Sequence, residues 1–550
     1  MATNLFGTDG IRGKVNLGVE DEEDAVDRLL NNREISPPIY RLIGESLGHS
    51  CEAEDGRKMR AVIGWDDRPS NSILAENLTI GLNIAGFEVT HIGICATPGL
   101  HLATLSLDAD FGCMITASHN PVADSGLKIF NRYGFKTLPD FELELSRNAI
   151  SLSQEDREVD QIELKKLATP SSSVKATEWS DIHHPKWLTI RYQNLAELIG
   201  ASLSDVENLH QPILVDSSGG SCKSWLAYWL SSNGVPAIEV SEKDSILNKN
   251  CGAGDLSPTQ EWTFEEAATS SHKLIRNLPE CSPGMLVAAA LDGDGDRCLL
   301  IESTATGYRV IDGDRIADTF VNSVCNSGLE WHLAASIESD LSLTTNLARF
   351  TMPVEVSETA VGDRWLAVAL SKNELGSYLE RSSIPQLIGV EDSGHIVLPS
   401  PHPKHDNYWS LVGDGTMTLV AYLLSLTNAD TSRQMQRGWK RRQSVEGVDR
   451  NRWNGKNQLS NLVEGIFFDS LAKAHTIENW SRSEVPGEPN LMLISCKLSD
   501  FQLSLGVRNS GTQAKISVSA RLEFGGDESG IQSSIDAVCK LLNEKMATHQ

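Results

Sequence analysis

Short apolar runs alternate with helix-like segments through much of this 550-residue chain. Clear examples are residues 61–64, 87–94, 212–216 and 284–292. Apolar runs of this length, separated by helical patterns, are typical of βαβ units. The sequence therefore predicts mixed α/β domains. At roughly 150 residues per domain, the chain has room for about three to four of them.

Three polar stretches, at about 151–185, 302–312 and 429–458, are predicted to connect these domains. They divide the chain into four segments: 1–185, 186–305, 306–430 and 431–550. No repeat of 20–50 residues is visible in the sequence, although α/β segments can be related in structure without showing it.

The amino-acid composition limits the kinds of molecule that the chain is expected to bind. The 48 Lys and Arg residues against 74 Asp and Glu give a net charge of −26, which repels nucleic acid and anionic lipid. No apolar run approaches the ~18 residues of a membrane span, and the N-terminus does not resemble a signal peptide. The ten cysteines are scattered without metal-type spacing and are expected to be reduced. These features predict a cytoplasmic protein without nucleic-acid or membrane partners. They leave the oligomeric state unknown.

One basic cluster has to be weighed against that conclusion. Between Arg437 and Trp453, six Arg or Lys residues lie close to tryptophans, a composition that single-stranded nucleic acid could bind. In so acidic a chain, the simpler interpretation is a solvated linker whose tryptophans pack on neighbouring domains.

Residues 292–296, Asp-Gly-Asp-Gly-Asp, follow an apolar run directly. The three aspartates can converge on one divalent cation, because the glycines permit a tight turn. An EF-hand is excluded, since its sixth and twelfth positions would be Arg297 and Ser303 instead of Gly and Glu. An acidic turn without metal is the alternative. So few protein carboxylates favour Mg²⁺, which leaves coordination positions for phosphate or water.

A second loop contains Ser118, His119 and Asn120 after the apolar run 111–115. The serine hydroxyl could be a nucleophile or a phosphate carrier, but taken alone an N-cap role is more common. Lys128 supplies a positive charge nearby in sequence.

Two further loops carry polar groups. Arg508 could donate a bidentate hydrogen bond to a phosphate that Ser510, Gly511 and Thr512 surround. A polar turn without a ligand is the alternative. Residues 391–395 offer side chains that can bond sugar hydroxyls, and an extended conformation would send Glu391, Ser393 and His395 to one side and Asp392 to the other.

Together these loops resemble the α-D-phosphohexomutase family. Six motifs occur in the family order, at residues 6–13, 116–121, 292–297, 361–365, 391–395 and 508–512. The resemblance implies four α/β domains around one cleft: three similar mixed domains and a smaller C-terminal α+β domain that binds phosphate. The chain is longer than a typical bacterial member, with the excess at about 15–35, 151–185 and 429–458.

The resemblance also implies residue roles. Ser118 would be the phosphoserine, and Asp292, Asp294 and Asp296 would hold one Mg²⁺ per subunit together with an oxygen of that phosphate. Arg12, Lys128 and His119 would complete the catalytic group. The substrate, a phosphorylated hexose or hexosamine, would be bound by the following residues: Arg297, Glu391, Ser393, His395, Arg508, Ser510, Gly511 and Thr512.

The activity so implied is phosphate transfer between two positions of a sugar. Residues 6–13 and 361–365 look most like the branch that acts on glucosamine phosphates, with mannose or glucose phosphates as the alternative. A non-catalytic phosphosugar sensor is the alternative from another class. It is disfavoured because both the serine and the complete aspartate loop are present.

Overall fold

The computed structural model describes residues 4–51, 56–155, 161–175, 177–206, 211–241, 245–372, 375–509 and 515–547. These residues form four β-sheets of seven, six, six and five strands, with helices packed against them. The predicted α/β fold class is confirmed. None of the helices in these ranges is both long and apolar enough to span a membrane.

The first sheet has the strand order β2-β1-β6-β5-β3-β4-β7. Its strands are β1 Ile11–Val15, β2 Glu34–Ile35, β3 Arg60–Trp65, β4 Glu88–Ile94, β5 Phe111–Ile115, β6 Asp124–Asn131 and β7 Ser172–Ser173. The helices of this part are α1 Glu22–Asn32, α2 Pro37–Ser50, α3 Asn71–Ile84, α4 Thr97–Ser106, α5 Pro139–Ser153, α6 Gln161–Leu167 and α7 His184–Ile199. Proline near the first turn of α2, α4 and α5 suits a helix start, where its missing N–H costs nothing.

The second sheet has the order β10-β13-β12-β11-β8-β9. Its strands are β8 Ile213–Asp216, β9 Ala237–Glu239, β10 Glu261–Thr263, β11 Leu286–Leu291, β12 Cys298–Ser303 and β13 Gly307–Ile311, and its helices are α8 Leu226–Ser232, α9 Phe264–Ala268 and α10 Lys273–Arg276. Strand β11 is buried along its whole length, which explains its unbroken apolar sequence.

The third sheet has the order β15-β14-β17-β18-β19-β16. Its strands are β14 Trp331–Ser336, β15 Val354–Thr359, β16 Leu379–Glu380, β17 Leu387–Val390, β18 Ile396–Pro401 and β19 Tyr408–Gly413, and its helices are α11 Gly313–Ser323, α12 Leu341–Thr345, α13 Asp363–Leu370 and α14 Gly415–Ser425. One continuous apolar core joins the second and third sheets and includes residues of α7, α11 and α14.

The fourth sheet is antiparallel throughout, in the order β20-β24-β23-β22-β21. Its strands are β20 Trp439–Glu446, β21 Ile477–Ser483, β22 Met492–Leu498, β23 Phe501–Asn509 and β24 Lys515–Leu522. Helices α15 Gln458–Leu471 and α16 Ile531–Met546 cover one face and bury a separate core.

The first three sheets share a topology that the sequence does not display. In each, a strand (β3, β8 or β14) lies between two parallel neighbours. One of those neighbours, β5, β11 or β17, continues through a short loop into an antiparallel strand. The three loops, 116–123, 292–297 and 391–395, are therefore structurally equivalent, and each follows the carboxyl end of a parallel strand, where ligands gather in α/β sheets.

Two of the predicted connections are wrong. The stretch 302–312 is not a link between domains, because β12 and β13 pair across it, and the predicted boundary at 305/306 falls in the turn of that hairpin. The stretch 429–458 is not a solvated linker either. Residues 439–446 form β20, the edge strand of the fourth sheet, and Trp453, only 1% exposed, belongs to the core of that sheet.

Candidate active site

Ser118 lies in the loop after β5 with its backbone in the left-handed region, at φ 54°. This conformation is uncommon for a residue other than glycine and is held by tertiary contacts. The Ser118 carbonyl accepts hydrogen bonds from Arg68 Nη2 at 3.0 Å and from Asn248 Nδ2 at 2.7 Å. Its backbone N–H donates to Thr116 Oγ1 at 2.8 Å. The main chain therefore fixes the position of the hydroxyl without using the hydroxyl itself.

The three aspartates of the second loop lie together at the end of β11. One carboxylate oxygen from each of Asp292, Asp294 and Asp296 lies within 4.8 Å of the other two, and all three residues are buried. Gly295 closes the turn with φ +70°, and a Cβ there would lie 2.8 Å from Cys222 Sγ. The glycine is therefore needed both for the backbone conformation and for space.

This aspartate cluster has the chemistry of a divalent-cation site. Asp294 Oδ1 and Asp296 Oδ1 are buried and have no hydrogen-bond partner among the described residues, so they are free to coordinate an ion. Burial, together with repulsion from Asp296 and Asp294, raises the pKa of Asp292 to about 8. A bound cation would offset that repulsion, and three carboxylate donors suit a hard ion such as Mg²⁺.

The serine loop and the aspartate loop meet although they belong to different sheets. Ser118 Oγ donates a hydrogen bond to Asp292 Oδ2 at 2.7 Å. Thr97, at the start of α4, donates from Oγ1 to Asp294 Oδ2 at 2.6 Å. The hydroxyl predicted to carry phosphate is thus directly beside the predicted metal ligands.

Lys128, on β6, adds the positive charge of this centre. Its Nζ donates to Asp294 Oδ2 at 2.8 Å and to Asp296 Oδ2 at 2.7 Å. Burial alone would lower the pKa of Lys128, but the carboxylates of Asp294 and Asp296 outweigh it and hold that pKa well above its ordinary value. Lys128 is therefore a fixed cation at neutral pH.

Arg12 and His119 lie beside the same centre. Arg12 Nη2 donates to Asp9 Oδ2 at 2.6 Å. Positive charge on Arg297, followed by burial, lowers the pKa of His119 to about 3. Within the part of the chain that the structure describes, the buried Nδ1 atom of His119 has no hydrogen-bond partner.

The third loop folds as a tight turn, and the extended arrangement considered for it is not present. Gly394 has φ +84°, with no room for a Cβ, which would lie 2.2 Å from the Cys298 carbonyl oxygen. Glu391 Oε2 lies 3.5 Å from Ser393 Oγ and 3.8 Å from His395 Nδ1, so the three predicted sugar-binding side chains are brought together. Asp392 points elsewhere and binds Lys440.

His395 links this loop to the aspartate cluster. Its Nε2 lies 3.4 Å from Asp363 Oδ2 and 3.9 Å from Asp296 Oδ2. Burial alone would lower the pKa of His395, but the charges of Asp296 and Asp363 raise it to about 8. Arg297 donates its backbone N–H to Asp292 Oδ1 at 3.2 Å, and the charges of Asp292 and Glu391 raise its pKa despite burial. All three loops thus contribute to one electrostatic centre.

Several supporting residues were missed by the sequence analysis. Lys136 Nζ donates to Asp9 Oδ1 at 2.8 Å and to Asp363 Oδ1 at 2.7 Å, joining the first and third sheets at the centre. Asp9 and Asp363 lie within motifs already noted, at 6–13 and 361–365, so the motifs could have identified them. Arg68, Asn248 and Lys136 had no comparable signal.

Arg508, at the end of β23, is held by carboxylates. Its Nη1 donates to Glu488 Oε1 at 2.6 Å and its Nη2 to Glu338 Oε1 at 3.0 Å. The rest of the predicted phosphate loop, including Ser510, Gly511 and Thr512, lies outside the described residues.

Comparison with known proteins gives two matches to one family. Residues 3–156 match the phosphoglucomutase/phosphomannomutase α/β/α domain I, and residues 312–441 match domain III of the same family. The two matches together cover just over half of the chain. They include the Ser118 loop and the Glu391 loop.

Curated relatives extend the match. The phosphoglucosamine mutase of Corynebacterium aurimucosum is 27% identical over 437 residues, 78% of this chain and 80% of its own length. The phosphoglucosamine mutase of Bifidobacterium longum is 28% identical over 423 residues, 76% of this chain and 77% of its own. Similarity at this level runs through most of both chains.

Solved structures show the same fold. A putative phosphomannomutase from Thermus thermophilus superposes with a TM-score of 0.60 at 18% identity, covering 98% of this chain and 99% of its own. N-acetylphosphoglucosamine mutase of Aspergillus fumigatus, solved with GlcNAc-6P and magnesium, superposes with a TM-score of 0.51 at 14% identity, covering 92% and 99%.

Proposed function

This chain belongs to the α-D-phosphohexomutase family, and from that premise we propose that it interconverts glucosamine 6-phosphate and glucosamine 1-phosphate. The observation that carries the proposal is the contact between Ser118 Oγ and Asp292 within the aspartate cluster, next to the fixed cation of Lys128. A nucleophilic or phosphate-carrying hydroxyl, a cation site and a positive charge are the parts that phosphoryl transfer requires. The enzyme is accordingly an isomerase-type phosphotransferase.

In the proposed mechanism Ser118 carries a phosphoryl group. The Oγ–P bond breaks as a free hydroxyl of the sugar phosphate attacks phosphorus. The proton of that hydroxyl ends on Ser118 Oγ, and the product is a bisphosphorylated sugar. That sugar reverses its orientation in the cleft and returns its other phosphate to Ser118. Asp292, Asp294 and Asp296 would hold one Mg²⁺, which when bound neutralises charge on the transferring phosphoryl group.

The other proposed catalytic residues act by position and charge. Arg12 and Lys128 offset negative charge beside Ser118, and the neutral imidazole of His119 can form a hydrogen bond there through Nδ1. Glu391, Ser393, His395 and Arg297 would bind the sugar. Positioning by these groups can supply much of the rate enhancement, because phosphoryl transfer needs little covalent help from the protein.

The substrate preference is tested by comparing the kinetics of three sugar phosphates. We expect glucosamine phosphates to be preferred over mannose and glucose phosphates by at least about tenfold in kcat/KM, or roughly 1.4 kcal/mol of transition-state binding. One support is that Gly362, in the motif at 361–365, donates its backbone N–H to Glu391 Oε1 at 2.6 Å and so orients a carboxylate able to pair with a 2-ammonium group. One preparation would be assayed with all three sugar phosphates side by side.

The same carboxylate also suits a neutral 3-hydroxyl. Equal or higher kcat/KM for mannose 1-phosphate or glucose 1-phosphate would therefore reassign the substrate to the alternative, a phosphomannomutase or phosphoglucomutase. The proposed roles of Ser118 and of the aspartate cluster would be unaffected.

Arg508→Ala is expected chiefly to raise KM. We propose that Arg508 grips the phosphate that is not transferred, in exchange for its contacts with Glu488 and Glu338, and binds it equally in ground and transition states. Loss of a bidentate, charge-assisted hydrogen bond costs about 2–4 kcal/mol of binding free energy, which corresponds to a rise in KM of roughly 30- to 1000-fold. Steady-state kinetics of Arg508→Ala beside Arg441→Ala measures this effect. A KM equal to that of the Arg441 variant would assign Arg508 a structural role.

A further inference from the structure

The face of the fourth sheet that points away from α15 and α16 is rich in cations. In β24, Ile516, Val518, Ala520 and Leu522 belong to the buried core under those helices. The alternate residues face the other way, and the strand register places Lys440 opposite Arg521 and Arg442 opposite Ser519 on that second face. Arg508, opposite Ser517, lies on the same face.

Glu338 joins two arginines of this face although they belong to different strands. Glu338 follows the carboxyl end of β14 in the third sheet. Its Oε1 atom lies 3.0 Å from Arg508 Nη2 and 3.2 Å from Arg442 Nη1. A single carboxylate therefore lies between the arginine already proposed to bind phosphate and a second one that the sequence analysis placed in a linker.

Two other cations of this face, Lys440 and Arg521, have closer or more numerous partners. Lys440 Nζ donates to Asp392 Oδ2 at 2.5 Å, and Arg521 Nη2 donates to Glu358 Oε1 at 2.7 Å while its Nη1 bonds the Ser339 carbonyl. The Arg442 side chain is 49% exposed, and its contacts with Glu338 are 3.2 and 3.3 Å long. Arg442 is thus the most readily redirected of these three side chains.

Arg442 and Glu338 line a cavity of ≈ 560 Å³ together with Arg297, Glu391 and Ser393. The cavity therefore connects this part of the fourth sheet with the loop proposed to bind sugar. A phosphate monoester offers three terminal oxygens and up to two negative charges, against the two oxygens and one charge of Glu338. It can accept from two arginines at once, and such charge-assisted forks are strong.

We propose that Arg442 and Arg508 form a two-arginine clamp for the phosphate that is not being transferred, and that Glu338 is an internal competitor that occupies the clamp until a sugar phosphate displaces it. This inference rests on the proposed function, and it adds a binding residue and a competing carboxylate to that site. Arg442 is a substrate-binding residue of β20.

The test compares Arg442→Ala with Arg482→Ala. Arg482 is an exposed arginine of β21 that lies opposite the core residue Ile494, on the helix-covered face, and pairs with Glu464. We expect Arg442→Ala to raise KM for the preferred sugar phosphate by at least about tenfold with little change in kcat, because the clamp binds ground and transition states alike. Arg482→Ala should leave KM near the wild-type value.

A second measurement does not require turnover. Calorimetric titration with glucose 1,6-bisphosphate should show weaker binding for Arg442→Ala than for Arg482→Ala, and tighter binding than wild type, by several-fold, for Glu338→Gln. If wild type turned over no hexose phosphate, the proposed function would fail while this comparison could still support the clamp. Equal KM and equal affinity in the two arginine variants would overturn the role of Arg442. Weaker binding by Glu338→Gln would overturn the role of Glu338 as a competitor.

Discussion

Ser118→Ala is expected to abolish turnover while leaving the fold and much of the phosphosugar affinity intact. The hydroxyl is the proposed phosphate carrier, so its removal leaves no acceptor for the phosphoryl group. The loop should keep its shape, because Arg68 and Asn248 hold the Ser118 carbonyl and not its side chain. Kinetics, thermal unfolding and calorimetric binding of a sugar phosphate measure the three expectations separately.

The matched control is Ser46→Ala. Ser46 is also a buried serine of the first α/β unit, but its hydroxyl donates only to the Leu42 carbonyl within α2. This variant should retain nearly full activity, which separates loss of the phosphate carrier from loss of a buried hydroxyl. Active wild-type protein should also contain a phosphate that maps to the peptide containing Ser118. Full activity in Ser118→Ala would refute the mechanism.

The residues proposed to carry the chemistry were easier to predict from the sequence than the residues that hold them in position. The aspartate loop can be recognised from its own short sequence, since three acidic residues alternate with glycine after an apolar strand. Asn248 and Arg68 are single polar residues whose role exists only because folding brings them to the Ser118 carbonyl from other loops. No motif or residue spacing in the sequence predicts these two contacts. The structural equivalence of the three loops is hidden for the same reason, since strand pairing and not residue identity defines it.

Strand β20 was missed because its composition is that of a loop. Four of its eight residues are charged, and an edge strand commonly carries such residues because they discourage pairing with other chains. The alternation of Trp439 and Val445 on the core face was the available signal. The basic residues on the other face were attributed to a linker because their carboxylate partners, Asp392 and Glu338, come from a distant part of the sequence.

Asp294→Asn is expected to weaken Mg²⁺ binding and to lower kcat by about two to three orders of magnitude. The Asp294 Oδ2 atom accepts from Lys128 and Thr97. Oδ1, which has no partner in the described ranges, is then the atom available to a cation. In asparagine the amide oxygen would keep those two donors, so the NH₂ group would face the cation site and offer hydrogens where a lone pair is needed. Charge stabilisation by a metal is worth several kcal/mol, and each ~1.4 kcal/mol is a factor of ten in rate.

The control for this substitution is Thr97→Val, which removes one hydrogen bond to Asp294 and leaves all three aspartates in place. Its effect on kcat should be far smaller than that of Asp294→Asn, because ligand charge and ligand type are unchanged. Mg²⁺ titration by calorimetry and kcat at saturating Mg²⁺ distinguish weak metal binding from slow chemistry. A chelator should reproduce the loss in wild type and readdition of Mg²⁺ should reverse it. Activity that responds neither to the chelator nor to Asp294→Asn would show that the cluster is an acidic turn, with Lys128, Arg297 and His395 offsetting its charge.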